Sequence, residues 1–176
     1  MSGEDKNSPH ENTGKTLLVI RHAKSSWEFS TNDFERPLNE RGKKDAPVMA
    51  QRLKEKKIKI DAFVASPAKR AKKTAELFCG EYGVKEEAII FISKLYHAPA
   101  DVFFEVTESL DDAYNTVAVF SHNPGITEFV NLLIPEIKLD NMPTCGIFAV
   151  KTTSGKWIDF KKTKKEFLFF DYPKMG

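Results

Sequence analysis

Thr16-Leu17-Leu18-Val19-Ile20-Arg21-His22 is a short apolar, β-branched run that stops abruptly at an arginine and a histidine. A strand buried on both faces reads this way. Helices covering the two faces remove the alternation of polar and apolar residues, and polarity returns only where the strand emerges at its carboxyl end. The same signature recurs at residues 61–65, 89–92 and 116–120. Helical patterns lie between these runs. One starts at the N-cap Asn39 and places Ala46, Met49, Ala50 and Leu53 on one face, with Pro47 inside it. A second spans 68–78, opened by Ser66-Pro67 and closed near Gly80, and a third spans 99–109. A fourth, 125–133, follows the last of these strands. The order βαβαβαβα predicts a three-layer αβα domain, with a mainly parallel central sheet and helices on both faces. After Pro143 the pattern changes to 147–151, 157–160 and 167–172, separated by a Ser154-Gly155 turn and a lysine-rich turn at 161–165. These are expected to be closing strands, antiparallel at the sheet edge.

A chain of 176 residues fits one domain. Residues 1–14 contain almost no apolar side chains and are expected to be a disordered N-terminal tail, leaving 15–176 as the domain. With 41% hydrophobic residues the chain can build a core, and a domain near this size removes roughly 70% of its unfolded surface from water. Lys and Arg number 27 against 25 Asp and Glu, a net charge of +2. That balance argues against nucleic acid as a partner, so any anion site must be local. Cys79 and Cys145 stand far apart with no CxxC pair, which gives no sign of a disulfide framework or a thiolate zinc site and fits a reducing cytoplasm. No apolar run approaches the 18 or so residues of a membrane span, and the N-terminus lacks the apolar stretch of a secretory signal. A monomeric, cytoplasmic protein with no membrane partner is the expectation.

In open α/β sheets, ligands bind beyond the carboxyl ends of the strands. Three such ends carry chemistry here: Arg21-His22, then Ser66-Pro67 with Arg70 on the following first helical turn, then Ser121-His122-Asn123-Pro124-Gly125. Two guanidinium forks and two imidazoles suit a tetrahedral phosphoryl group, since arginine pairs with two phosphate oxygens at once and imidazole is a donor or a nucleophile. No P-loop, no GxGxxG after a strand and no carboxylate cluster for magnesium accompanies them. The expected chemistry is therefore metal-independent, with no cofactor.

Four ordered segments resemble the histidine phosphatase superfamily, with its phosphoglycerate mutase-like fold, and within it the small SixA-type phosphohistidine phosphatases. They are Leu18-Val-Ile-Arg-His-Ala23, Asp33-Phe-Glu-Arg-Pro-Leu-Asn-Glu-Arg-Gly42, Ser66-Pro-Ala-Lys-Arg-Ala71 with Thr74-Ala75, and Ser121-His-Asn-Pro-Gly125; the near-terminal Asp171-Tyr-Pro-Lys174 also matches. The resemblance implies that His22 is the nucleophile accepting the phosphoryl group. It implies that Arg21, Arg70 and His122 bind its oxygens, with His122 also catalytic. Ala23 stands where the superfamily usually has glycine, which would cost about 1–2 kcal/mol if the backbone there were left-handed.

The carboxylate that many members use as general acid has no clear counterpart, because the corresponding loop reads Lys94-Leu-Tyr-His-Ala-Pro99. Tyr96 and His97 are the available proton donors, while Lys24 and Asn123 are further candidates for the site's edge. A pocket without a carboxylic acid suits a phosphoramidate, since imidazole leaving from phosphohistidine can already carry its proton and an alkoxide cannot. Only 23 residues separate Ile92 from Thr116, too few for a covering subdomain, and an open site favours a phosphorylated protein such as a phosphorelay or phosphotransfer domain. Two other readings remain open: a phosphatase for a small-metabolite ester, and an inactive phosphate-binding module.

Overall fold

The structure, a computed structural model, describes residues 14–28 and 32–176. Six strands form one sheet: β1 (Thr16–Arg21), β2 (Ala62–Ala65), β3 (Ile90–Phe91), β4 (Thr116–Ser121), β5 (Ile147–Thr152) and β6 (Lys165–Asp171). Their order across the sheet is β3-β2-β4-β1-β5-β6, with β3, β2, β4 and β1 parallel and β5 and β6 antiparallel. Helices α1 (Glu40–Glu55) and α2 (Lys69–Tyr82) cover one face, and α3 (Ala100–Glu108) and α4 (Gly125–Leu133) cover the other.

The alternation of side chains along each strand makes two cores. Leu17, Val19, Val117 and Val119 pack with Phe103 and Phe129 on the α3/α4 side. Leu18, Ile20, Ala118 and Phe120 pack with Met49 and Phe78 on the α1/α2 side. Central strands buried on both faces need apolar side chains at every position, which is why β1 reads as an unbroken run. The αβα architecture expected from the sequence is the one observed.

Several local expectations need correction. Residues 157–160 form no strand; Trp157–Asp159 is a 3-10 turn. Trp157 and Phe160 are both buried while Ile158 is exposed, and a spacing of three puts two residues on one side of a helical turn but on opposite faces of a strand. The Trp157 indole N–H donates to Tyr114 O at 2.9 Å, so its polar edge is satisfied inside the core. The run 89–92 contributes only a two-residue edge strand with Ile90 and Phe91 exposed. Helix α2 continues through Gly80 and closes at Gly83, whose φ of 65° is the left-handed cap. Of the expected tail, Gly14 is buried against Thr152, and residues 1–13 lie outside the described residues.

Two features of the frame converge on the edge where His22 and His122 emerge. In the β1–β4 pairing Arg21 is opposite Ser121, so the next residue of each strand, His22 and His122, emerges side by side. Gly125, at the start of α4, packs so close to the Ala98 carbonyl that a Cβ would lie 1.7 Å from its oxygen. Gly125→Ala is therefore expected to destabilise the fold by at least about 1–3 kcal/mol, whereas Gly80→Ala, in an open part of α2, is expected to stabilise it by about 0.5–1 kcal/mol. Urea denaturation of both variants checks this, and a neutral Gly125→Ala would contradict the packing.

Candidate active site

His22 is held by its own backbone and by its ring. Its N–H donates to Ser121 O at 3.1 Å, and its carbonyl accepts from Cys145 N at 3.0 Å. The ring Nδ1 lies 2.7 Å from Ala23 O. A carbonyl only accepts, so Nδ1 carries the hydrogen and Nε2 carries the lone pair. Burial, chiefly, together with His122, Arg21 and Arg70, pushes the His22 pKa well below its ordinary value, and the bond to Ala23 offsets this only in part. The imidazole is neutral and its lone pair free, the state a nucleophile requires.

His122 stands with its ring centroid 5.3 Å from that of His22. Its Nε2 is 2.8 Å from Ser66 Oγ, which also accepts from Ala68 N at 3.3 Å. A Ser66 hydroxyl that donates to Nε2 leaves the His122 hydrogen on Nδ1, whereas the opposite tautomer donates from Nε2 to Ser66 Oγ. Nδ1 is buried and has no hydrogen-bond partner among the described residues. Burial and, next, Arg70 lower the His122 pKa to about 3. His122 is thus a neutral donor.

Three guanidinium groups surround the pair. Arg21, at the end of β1, anchors one Nη on Met142 O at 2.9 Å. Arg70, on the first turn of α2, donates to Asp33 O at 2.7 Å and to Asp33 Oδ2 at 3.0 Å. Arg36 donates to Ser25 Oγ and, at 3.4 Å, to Asp33 Oδ1, and its guanidinium lies 3.8 Å from the centre of the exposed Trp27 ring. Burial and the charges of Arg36 and Arg70 lower the Arg21 pKa. The Nε of all three is buried without a partner among the described residues. Concentrated positive charge with unused donors is an anion site.

Thr74 joins the loop after His22 to the helix of Arg70: its hydroxyl accepts from Ala23 N at 3.0 Å and donates to Arg70 O at 2.7 Å. Ala23 is fully buried and is not among the non-glycine residues of positive φ, so the missing glycine carries no left-handed strain. On the other side, Asn39 caps α1 by accepting from Gly42 N, and its own N–H donates to Lys24 O at 3.0 Å.

The structure brings Arg21, His22, Arg70 and His122 together. It gives Lys24 and Asn123 other work. Lys24 is exposed, and its backbone carbonyl makes the contact that positions α1. Asn123 donates to Asn141 Oδ1 and Met142 O and accepts from Thr127 Oγ1, which ties the His122 loop to the segment that anchors Arg21. Tyr96 and His97 lie at the rim, with the Tyr96 hydroxyl donating to Asp33 Oδ2 at 2.6 Å and His97 Nε2 3.9 Å from the same oxygen.

Asp33 and Arg36 are site residues that reasoning from strand ends missed, because both lie on the turn before α1. Their signal was the Asp33-x-x-Arg36-Pro-Leu motif. Burial works to raise the Asp33 pKa, but the hydrogen bonds from Tyr96 and Arg70 and the charges of Arg70 and Arg36 prevail and hold it at about 2. The carboxylate is ionised and has no proton to give.

Beside His122 a cleft of about 180 Å³ is bounded by His97, Pro99, Asn123 and Glu128. A larger groove of about 500 Å³ lies beyond the Asp33 turn, lined by Phe34, Pro67, Lys69 and Lys72. It holds none of the histidine pair. Among the described residues no three His, Cys, Asp or Glu side chains gather as a metal site. No helix among them is long and apolar enough to cross a membrane.

Comparison with known proteins supports the same assignment. The family model of the histidine phosphatase superfamily (branch 1) matches residues 17–90. An uncharacterized protein of Mycobacterium tuberculosis is 27% identical over 164 residues, covering 88% of this chain and all of that protein. A SixA structure from Nakamurella multipartitia superimposes with a TM-score of 0.79 at 22% identity, over 91% of this chain and 96% of that one. A protein histidine phosphatase SixA complexed with tungstate gives 0.76 at 22% identity, over 90% and 97%. A mycobacterial glucosyl-3-phosphoglycerate phosphatase gives 0.60 at 13%, over 90% and 97%. Residues 17–90 thus match the histidine phosphatase superfamily model, and the chain shares the fold of the SixA structures.

Proposed function

We propose that the protein is a phosphatase that hydrolyses phosphohistidine in a phosphorylated protein, through a phosphohistidine intermediate on His22. The observation that carries this reading is the His22 ring, neutral, with Nδ1–H fixed on the Ala23 carbonyl, which leaves the lone pair on Nε2, and with the Arg21 and Arg70 charges beside it. Nε2 attacks phosphorus, the P–N bond of the substrate breaks, and its electron pair passes to the substrate ring nitrogen. That ring leaves as neutral imidazole, keeping the proton on its other nitrogen. Phospho-His22 is then a protonated phosphoimidazole whose Nδ1–H still donates to Ala23. Water attacks phosphorus, the new P–N bond breaks with its electron pair returning to Nε2, and dihydrogen phosphate leaves carrying both of the water's protons. Arg21, Arg36, Arg70 and, in its Nδ1–H tautomer, His122 hold the oxygens on which charge spreads in each step.

Several features support a protein substrate. The SixA relative binds tungstate, an oxyanion of phosphate-like shape, and its name gives protein phosphohistidine as the substrate class. The segment between β3 and β4 supplies only the 3-10 turn Ser93–Leu95 and α3, of nine residues, so the rim stays open to a macromolecule. The partner would be a phosphorelay or phosphotransfer domain, met in the cytoplasm by a monomeric enzyme. The relative that acts on glucosyl-3-phosphoglycerate shares the frame, so a small-metabolite ester is the competing reading.

The deciding comparison is kcat/KM for a phosphohistidine peptide against glycerate, sugar and simple alkyl phosphates. The peptide is expected to be turned over at least about a hundredfold faster than any alkyl ester, because the site offers an alkoxide no carboxylic acid. A metabolite ester that equals or exceeds the peptide would overturn the assignment.

The mechanism also requires both imidazoles to be neutral. A lowered pKa means that the neutral form persists as pH falls, so the ring NMR signals of His22 and His122 are expected to show no protonation step between about pH 7.5 and about pH 5. A step near the ordinary histidine value in either ring would contradict the site.

A further inference from the structure

We propose that the Asp33 carboxylate accepts a hydrogen bond from the remote ring N–H of the substrate phosphohistidine and so selects protonated phosphoimidazole over phosphate esters. The inference rests on the phosphohistidine reading above and names the residue that makes the distinction.

Position comes first. His22 and His122 are the floor of the site, 4% and 5% exposed, whereas the side chains of Asp33 and His97 are 42% and 68% exposed. In-line displacement puts the leaving group opposite the nucleophile, and therefore toward this rim. The rim is made of Asp33, Tyr96 and His97, with Arg36 and Arg70 behind the carboxylate.

The chemistry of the rim then favours one class of leaving group. Tyr96 directs its only hydrogen to Asp33, and burial together with that bond raises the phenol's pKa, so it is a poor donor to a departing alkoxide. Asp33 carries no proton. Its Oδ2 takes Arg70 and Tyr96, while Oδ1 has only the long contact to Arg36 and keeps lone-pair capacity. The rim thus offers an anionic acceptor and no carboxylic acid. A ring N–H⁺ is served by it; an alkoxide gains nothing, and a substrate bearing its own carboxylate is repelled.

An imidazole already stands beside this carboxylate, for His97 Nε2 lies 3.9 Å from Asp33 Oδ2. His97 does so from a left-handed backbone, φ 59°, with its ring 3.9 Å from that of Tyr96. In the reaction the hydrogen bond holds the proton on the remote nitrogen while the P–N bond breaks and its electron pair goes to the other nitrogen. The products are neutral imidazole and phospho-His22, with no proton taken from the enzyme.

The test varies both sides of the contact. Wild type, Asp33→Asn and Asp33→Glu are assayed with a phosphohistidine peptide, phosphoimidazole, N-methylated phosphoimidazole and an aryl phosphate, each corrected for uncatalysed hydrolysis. Wild type is expected to prefer phosphoimidazole over its N-methyl analogue by about tenfold or more, and Asp33→Asn to lose that preference and to lower the peptide-to-aryl ratio of kcat/KM by a similar factor. Asp33→Glu should recover part of both. If Asp33 only positions Arg70, Asp33→Asn slows all substrates by one factor and leaves the ratios intact, which overturns the proposal. Equal wild-type rates on phosphoimidazole and its N-methyl analogue overturn it without any variant, so a poorly folded Asp33→Asn does not blunt the test. Wild type that cleaves aryl phosphate and neither phosphoramidate would instead remove the phosphohistidine reading itself.

Discussion

The hydrogen bond from His22 Nδ1 to the carbonyl of the next residue, Ala23, is the constraint on which the rest of the site depends. It selects the tautomer, aims Nε2 away from the backbone and leaves the lone pair nothing to do but attack. A buried imidazole among cations stays neutral because protonation would add a further positive charge in a place already short of water. Burial first, and then the cations proposed to bind the phosphoryl oxygens, thus keep the ring of the proposed nucleophile neutral.

The fold makes this arrangement by register. Aligned central strands deliver His22 and His122 together, and Thr74 ties the Ala23 loop to the helix that carries Arg70. Asn123, Thr127 and Met142 fasten the loop of the second histidine to the anchor of Arg21. Near the C-terminus, Arg52 of α1 donates to Asp171 and to the carbonyls of Tyr172 and Pro173, so the Asp171-Tyr-Pro segment closes the domain and lies outside the chemistry. The Asp33 turn stands at the mouth, where its carboxylate faces whatever departs.

Much of this was legible in the sequence, for identifiable reasons. Strands β1 and β4 are buried on both faces, so their composition marks them, and the residues at which they stop are the residues that meet the ligand. Arg70 was legible through the helix start that follows Ser66-Pro67. Trp157–Asp159 was misread because aromatic, β-favouring residues resemble a strand until the burial of Trp157 and Phe160 shows the spacing of a turn. Asp33 and Arg36 were quoted within a motif yet given no role, since their meaning comes from contacts with Arg70 and Tyr96, 37 and 63 residues away from Asp33. Asn123 follows His122 and so reads as a ligand, but its amide N–H groups are engaged by Asn141 and Met142.

The central claim is that the phosphoryl group passes through Nε2 of His22. It is tested most directly by rapid quenching of the enzyme during its first turnover of a ³²P-labelled phosphohistidine peptide, followed by mapping of the label. The account predicts an acid-labile, alkali-stable phosphoryl group on His22 that appears and decays at rates compatible with turnover, and none in His22→Ala. Turnover with no labelled enzyme, or with the label on another residue, would contradict it.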